Sequence, residues 1–386
     1  MIITKCAWCA KQLEHKAPRC GNCKTRYCSR ECQKQHWKKG DHKTLCPLIK
    51  RGGGAEQYHA DKKYKEAVAV AVEDCATDTK NQTCYICMEG AERRHTANEG
   101  LVRMCACRGT SGFAHLSCLV RQAQILVEEH EEKNLGPKQM SERWARWYSC
   151  GLCEQRYHSA VWCAMGWACW KTYLGRPETD QVRCSAIHNL SNGLQHARKW
   201  EDALEVTKAL SAIHERIGAP KTVYLANLGS MALILDDLRR PDEAIKLYKD
   251  IYAQKLSLFE SSDIEVIITA YNLSRALGHS GRHREQKRLM NSTIPKARKS
   301  LGDDHELTLS CRQNYAASLL YAENMSPASQ CDLREATKIL EDVQKRCRRV
   351  LGANHRVTLA VQGDLNYARQ WHENLLKEMA RMNLGV

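Results

Sequence analysis

The sequence predicts a mainly α-helical, multidomain protein with two small metal-held modules followed by a C-terminal α-solenoid of helix pairs. Three observations carry this reading. Fourteen of the 21 cysteines crowd into two N-terminal segments; a sequence motif recurs 42 and then 50 residues on in the C-terminal half; and 386 residues exceed what one core organises. An apolar fraction of 43% with 27% charged residues fits a folded chain. The longest strongly apolar stretch, 160–170, is about half of a membrane helix, so no membrane span is expected. Met1-Ile2-Ile3-Thr4-Lys5-Cys6 lacks the basic-then-apolar pattern of a secretory leader. A cytoplasmic or nuclear location is the expectation, and reduced cysteines clustered there more often hold metal than pair with each other.

The first segment reads Cys6-x2-Cys9, Cys20-x2-Cys23, Cys28-x3-Cys32 and His42-x3-Cys46. Each pair comes off a tight turn or one helical turn, and two pairs close one tetrahedral zinc site, so eight donors imply two ions. About 40 residues cannot bury enough apolar surface to fold alone, which makes metal binding and folding one event. Tyr27-Cys28-Ser29-Arg30-Glu31-Cys32-Gln33-Lys34-Gln35-His36-Trp37, followed by His42-Lys43 and Cys46, resembles a MYND-type zinc finger. The resemblance implies interleaved ligands: Cys6, Cys9, Cys28 and Cys32 on one zinc, and Cys20, Cys23, His42 and Cys46 on the other. His36, four residues after Cys32, competes for the histidine slot, and the resemblance favours His42. Such fingers bind short, often proline-containing peptides, so a peptide ligand is expected beside the alternative of a purely structural role.

A flexible joint at Gly52-Gly53-Gly54 and a helix over Glu56–Ala76 lead to the second segment, where the helix is expected to space or brace the two fingers. This segment reads Cys84-x2-Cys87, Cys105-x-Cys107, His115-x2-Cys118 and Cys150-x2-Cys153, again eight donors for two zinc ions, four in all. The order of ligands fits a PHD finger or a RING-CH finger. A single residue between the third and fourth ligands and seven before the histidine resemble RING-CH, as do Cys84-Tyr85-Ile86-Cys87, Cys107-Arg108-Gly109-Thr110, His115-Leu116-Ser117-Cys118-Leu119 and Cys153-Glu154-Gln155-Arg156-Tyr157. The insert Leu119–Ser149 is also typical of that family, while Tyr148 is the main PHD-like feature, which would make a histone reader. The RING-CH resemblance implies cross-bracing, with Cys84, Cys87, His115 and Cys118 on one ion and Cys105, Cys107, Cys150 and Cys153 on the other. It also implies docking of a ubiquitin-conjugating enzyme, with Ile86 and either Trp144 or Trp147 as contacts. Core packing is the alternative for both tryptophans. Many RING ligases carry a basic residue directly after the last ligand; here that residue is Glu154, with Arg156 two positions on.

Ala160–Tyr173, with Trp162, Cys163, Trp167, Cys169 and Trp170, reads as core. A fifth site from His158, Cys163, Cys169, Cys184 and His188 matches no tetrahedral spacing. Beyond residue 180, Phe259…Asp263…Asn272-Leu273 superimposes on Leu301…His305…Asn314-Tyr315, and Leu301-Gly302-Asp303-Asp304-His305 recurs as Leu351-Gly352-Ala353-Asn354-His355. Weaker copies begin at Asn189-Leu190 and Asn227-Leu228, second helices start near Trp200, Pro241 and Leu333, and a loop is expected near 324–331 around Ser326-Pro327. Ala203, Ala244 and Ala336 fall where paired helices approach. The pattern resembles tetratricopeptide repeats in the longer form of kinesin light chains, which implies a groove for a partner or substrate peptide. The boundaries are then 1–48 for the MYND-type finger, 49–80 for the linker helix, 81–158 for the RING-CH-type finger, 159–180 for a connector and 181–386 for the repeats.

A formal charge of +15 raises nucleic acid as a partner. Fourteen thiolates around four divalent ions lower it to roughly +9, and no aromatic-interleaved basic patch is present. Runs such as Lys345-Arg346-Cys347-Arg348-Arg349 read as solvated helix faces. No SET-domain signature, hydrolase triad, P-loop or dinucleotide motif occurs, and the spare cysteines lack an identifiable base. Two readings remain: a RING-CH-type ubiquitin-protein ligase that recruits substrate through its other modules, and a non-enzymatic zinc-dependent adaptor.

Overall fold

The computed structural model describes residues 4–383 except 15, 91–98, 108 and 322–326. The opening residues 1–3, Arg108, and Ser326 with part of the expected loop therefore lie outside the described residues. The chain divides into two compact units, Met1–Pro220 and Lys221–Val386.

In the first unit, α1 (Arg30–Lys39) and α2 (His42–Arg51) complete the N-terminal finger, and α3 (Ala55–Asp74) follows. Ser29 caps α1 by accepting from the Cys32 amide at 3.2 Å. The triple glycine is a fastened turn, not the loose joint its composition predicts. Gly53 and Gly54 take φ of 83° and 95°, where side chains are disfavoured, while the Gly54 amide donates to Ile49 O and the Ala55 amide to Cys23 O, both at 2.9 Å. A two-stranded hairpin, β1 (Val102–Arg103) with β2 (Phe113–Ala114), pairs Val102 with Ala114 and Arg103 with Phe113. The insert forms α4 (Leu116–Glu132) and α5 (Pro137–Trp144).

The hub of this unit is α6 (Ser159–Tyr173), apolar on every side and buried from Val161 to Trp170 without a break. It packs against α3, α4 and α7 (Gln181–His196), and α7 pairs in turn with α8 (Trp200–Ile217). Cys163 and Cys169 are core residues of α6, and burial pushes both thiols up. Small residues let α6 and α7 meet at the backbone. A Cβ on Gly193 would come within 2.7 Å of Trp162 O, and one on Gly166 within 3.1 Å of Leu190 Cα. Trp162 Nε1 donates to Asn189 Oδ1 at 3.1 Å across the same contact.

The second unit contains α9 (Lys221–Asp237), α10 (Pro241–Leu258), α11 (Ile264–His279), α12 (His283–Leu301), α13 (Glu306–Leu320), α14 (Pro327–Val350) and α15 (Arg356–Asn383). Each helix packs on the next. In addition α11 touches α9 and α13, and α13 touches α15, which is the neighbour pattern of stacked helix hairpins. The recurring motif has a local cause. Gly302 and Gly352 take φ of 90° and 92°, and His305 and His355 each accept from the amide two residues on through Nδ1, at 3.1 and 3.4 Å. Asp263 plays the same capping part at α11, accepting from Glu265 N at 2.8 Å. Ala203 and Ala244 are fully buried in α8 and α10, and Ala336 in α14. Helix α14 starts at Pro327, six residues before the expected Leu333, because proline suits a first helical turn. Arg346 and Arg349 pair with Asp304 at 2.9 and 2.6 Å, so the basic run is an ion-paired surface with Cys347 inside.

Among the described residues no helix is long and apolar enough to cross a membrane. Two packing predictions follow from these contacts. Gly193→Ala should cost about 1–3 kcal/mol, read as a lower denaturation midpoint, because the methyl group meets backbone. In the second unit Asp236 is fully buried, 2.8 Å from His279 Nδ1 and 3.1 Å from Arg275 Nη2. Burial opposes its charge, but these partners outweigh burial and hold the carboxyl below its usual range. Its contribution is therefore complete above about pH 4, the unfolded value, and is lost as pH falls through the lower native value. Asp236→Ala should cost about 3 kcal/mol near neutrality and flatten that acid limb in chemical denaturation.

Candidate metal centres

Four ligand pairs are built on one backbone device. In Cys6–Cys9, Cys20–Cys23, Cys84–Cys87 and Cys150–Cys153 the amide of the first cysteine donates to the carbonyl five residues on, at 2.8–2.9 Å. The residue after the second cysteine donates back to the first cysteine's carbonyl at 2.8–3.1 Å. That residue is left-handed every time: Ala10, Lys24, Met88 and Glu154 have φ of 58°, 65°, 62° and 57°. Such a knuckle points both sulfurs to one side. Leu152 N also donates to Cys150 Sγ at 3.3 Å, the kind of bond that favours a thiolate.

The knuckles meet the remaining donors across the chain. Four groups form, each with its donor atoms within 4.8 Å of one another: Cys6, Cys9, Cys28, Cys32; Cys20, Cys23, His42, Cys46; Cys84, Cys87, His115, Cys118; and Cys105, Cys107, Cys150, Cys153. These are the interleaved sets that the two resemblances imply. Cys9 Sγ lies 3.5 Å from Cys28 and 3.8 Å from Cys32. In the second group His42 Nε2 is 3.6 Å from Cys23 Sγ, and the group is buried throughout. His36 stands outside it, its Nδ1 3.1 Å from the Tyr27 hydroxyl and its ring 5.1 Å from that of His42. In the third group His115 turns Nδ1 to Cys87 at 3.4 Å, while Nε2 lies 2.9 Å from Gly90 O. A carbonyl there fixes the tautomer that leaves Nδ1 as donor to a metal. The β1–β2 hairpin carries Cys105 and Cys107 in its loop and delivers His115 directly after β2.

Crowded sulfurs call for a cation. Cys23 is pushed up to about 11, first by burial and then by Cys20 and Cys46; Cys107 also reaches about 11, with burial foremost. Burial resists ionisation of Cys6 as well, but backbone amides of Cys9, Cys28 and Trp8 bring it down to about 6. Every donor is sulfur or imidazole nitrogen in sets of four, which fits a borderline-soft, tetrahedral divalent ion in a closed site without a coordination position for substrate.

The docking candidates separate. Ile86, inside the third knuckle, is half-buried beside Met88, which is 75% exposed. Trp147 is completely buried, with its ring 5.8 Å from Tyr173, so it belongs to the core. Trp144 keeps a partly open ring, 5.8 Å from the same tyrosine. Arg156 is engaged elsewhere, with its guanidinium 5.5 Å from the Trp162 ring. Glu154 occupies the left-handed corner of the last knuckle beside Leu152, which is 61% exposed. Met88 and Leu152 are exposed apolar side chains that the sequence reading did not single out, although their place inside or next to a Cys-x2-Cys turn was the available signal.

Residues 6–46 match the family model of the MYND finger. Residues 84–134 match that of the RING-variant domain. Both fingers are present in this chain. The second match ends before Cys150 and Cys153, which the structure nevertheless brings to Cys105 and Cys107. No curated protein matches the chain. Among solved structures, similar chains include the nearly identical TPR-like repeats of a provisionally assigned kinesin light chain from Podosopora anserina and a glutamine-to-methionine variant of them. The variant is 17% identical with a TM-score of 0.39, covering 62% of this chain and 98% of its own; the parent is 16% identical with a TM-score of 0.39, covering 61% and 97%.

Removing one donor should remove one ion. Cys23→Ser should lower the native mass by one divalent ion per chain and open Cys20 and Cys46 to alkylation, while the other groups stay protected. Acidification should release metal, since donors bind it only when deprotonated. A metal-free native chain whose fourteen cysteines in these groups still resist alkylation would contradict the assignment.

Proposed function

We propose that this chain is a zinc-binding ubiquitin-protein ligase of the RING-CH type, in which the second finger orients a ubiquitin-charged conjugating enzyme. The MYND finger and the helical repeats then recruit substrate through peptide segments. The supporting observation is the interleaving of eight sulfur and nitrogen donors over residues 84–153, of which 84–134 match the RING-variant domain. Zinc is the ion this donor chemistry favours, and four are expected. Its part is to rigidify the knuckles.

Catalysis in such a module is by position: it holds the thioester of the charged enzyme in a reactive pose and does no covalent chemistry itself. Ile86 and Trp144 are the proposed contacts, with Met88 and Leu152 adding exposed apolar surface on neighbouring knuckles. Burial speaks against Trp147 in this role.

A second reading, a zinc-dependent adaptor without transfer activity, is favoured by one observation. The position after the last ligand is acidic Glu154, and Arg156, the nearest cation along the chain, lies over Trp162. Autoubiquitination with a panel of purified conjugating enzymes separates the two. The ligase reading expects activity in the parent chain, about tenfold lower with Ile86→Ala, a loss of roughly 1.4 kcal/mol of docking. Activity that arises only with Glu154→Arg supports the adaptor, and silence from both sinks the ligase.

A further inference from the structure

A cleft of about 520 Å³ opens in the first unit where the N-terminal finger meets the α2–α3 turn and the segment from α6 to α7. Its walls carry four cations from separate stretches of chain: Arg19, Lys24 and Arg26 from the finger and Arg183 from α7. Arg26 and Arg183 are only 5% and 9% exposed, an unusual depth for two guanidinium groups beside one cavity. Arg183 is held with its guanidinium 5.6 Å from the Trp170 ring and donates to Arg176 O, while its Nε has no hydrogen-bond partner. Arg26 donates to Glu14 O at 2.6 Å.

The floor adds a second anion-seeking element. Gly53, Gly54 and Ala55 line the cleft at the start of the 20-residue α3, where the positive end of the helix dipole lies, their own amides being tied to Lys50 O, Ile49 O and Cys23 O. Glu56 and Glu178 also line it, but Glu178 already pairs with Arg216 at 2.9 Å. A metal on Cys20, Cys23, His42 and Cys46 leaves that site with one net negative charge, so the cations around the cleft remain in excess.

We propose that this cleft binds a phosphorylated peptide, with the phosphate seated among Arg19, Lys24, Arg26 and Arg183 and the peptide's amides facing Glu56 and Glu178. Guanidinium forks suit phosphate oxygens, and several cations lining one cleft suit a doubly charged group better than a single carboxylate. The volume exceeds a bare phosphate many times over, and the mixed lining of carboxylates and glycine backbone suits the polar main chain that carries it. The cleft thereby becomes a reader of phosphorylated partners. The inference does not depend on ligase activity, because autoubiquitination needs no bound peptide and can succeed or fail separately.

The test is fluorescence anisotropy of the full chain with a degenerate phosphoserine peptide library, the unphosphorylated library and inorganic phosphate as competitor. Preferential binding of the phosphorylated library, displaced by phosphate and by salt, is the expected result. The exposed pair Arg19→Ala with Lys24→Ala should weaken it about tenfold while native mass still reports the same number of ions. Arg183→Gln is a second variant and should weaken it with the metal count unchanged. Equal binding of both libraries overturns the proposal, as does undiminished affinity in the Arg19/Lys24 double variant. Protection by inorganic phosphate without any gain from the phosphorylated peptides overturns it too.

Discussion

The first unit depends on donor atoms brought together from distant points of the chain. Cys6 meets Cys32, Cys20 meets Cys46 and Cys105 meets Cys153, and these closures stand in for a core that the fingers are too small to supply. Each closure takes configurational freedom from an unfolded chain, and interleaving two sites makes each loop limit the other. The energy that offsets this cost resides in metal–ligand bonds, so the finger's shape is conditional on its ion. Chemistry follows from the same fact: a closed set of four donors leaves no position for substrate at the ion.

The knuckle shows how local geometry serves that closure. Its left-handed residue is imposed by two backbone hydrogen bonds around the cysteine pair, and the position is filled by Ala10, Lys24, Met88 and Glu154, none of them glycine. The conformational cost at each is met by bonds that hold the turn closed. The side chain at that corner is consequently fixed in direction. Lys24 and Glu154 therefore place opposite charges at equivalent corners of the two fingers, and each corner's chemistry can differ while the metal cage stays the same.

Much of this was legible in the sequence because it is written in short spacings. Two- and three-residue gaps between cysteines specify knuckles, and the pairing of knuckles came from family resemblance, with His42 preferred to His36. The repeats were legible for a similar reason: Gly302 and Gly352 at positive φ and histidine caps at 305 and 355 are local requirements. What spacing could not supply was tertiary. Trp144 and Trp147 have the same local pattern, yet one keeps an open ring and the other is sealed against Tyr173. The triple glycine read as loose from composition, but its amides are tied to Ile49 and its neighbour's to Cys23. The cleft is formed by Arg19, Arg26 and Arg183, and nothing local links residues more than 150 positions apart.

Helix α6 and the second unit represent two different sources of order. Residues 159–173 have no polar face, so the helix is stable only when α3, α4 and α7 cover it, and its place as hub follows from hydrophobicity in all directions. The glycines at 166 and 193 then decide how close α7 approaches. In the second unit no such hub exists among the described residues; every helix answers to its neighbours in the chain, through caps, small buried alanines and ion pairs such as Arg346 with Asp304. Order there is a sum of near-neighbour terms. The fingers are metal-conditional, α6 is burial-conditional, and the repeats are conditional only on one another. A change in metal supply therefore acts on the displayed knuckles, and among the described residues the repeats hold no metal donor group to receive it.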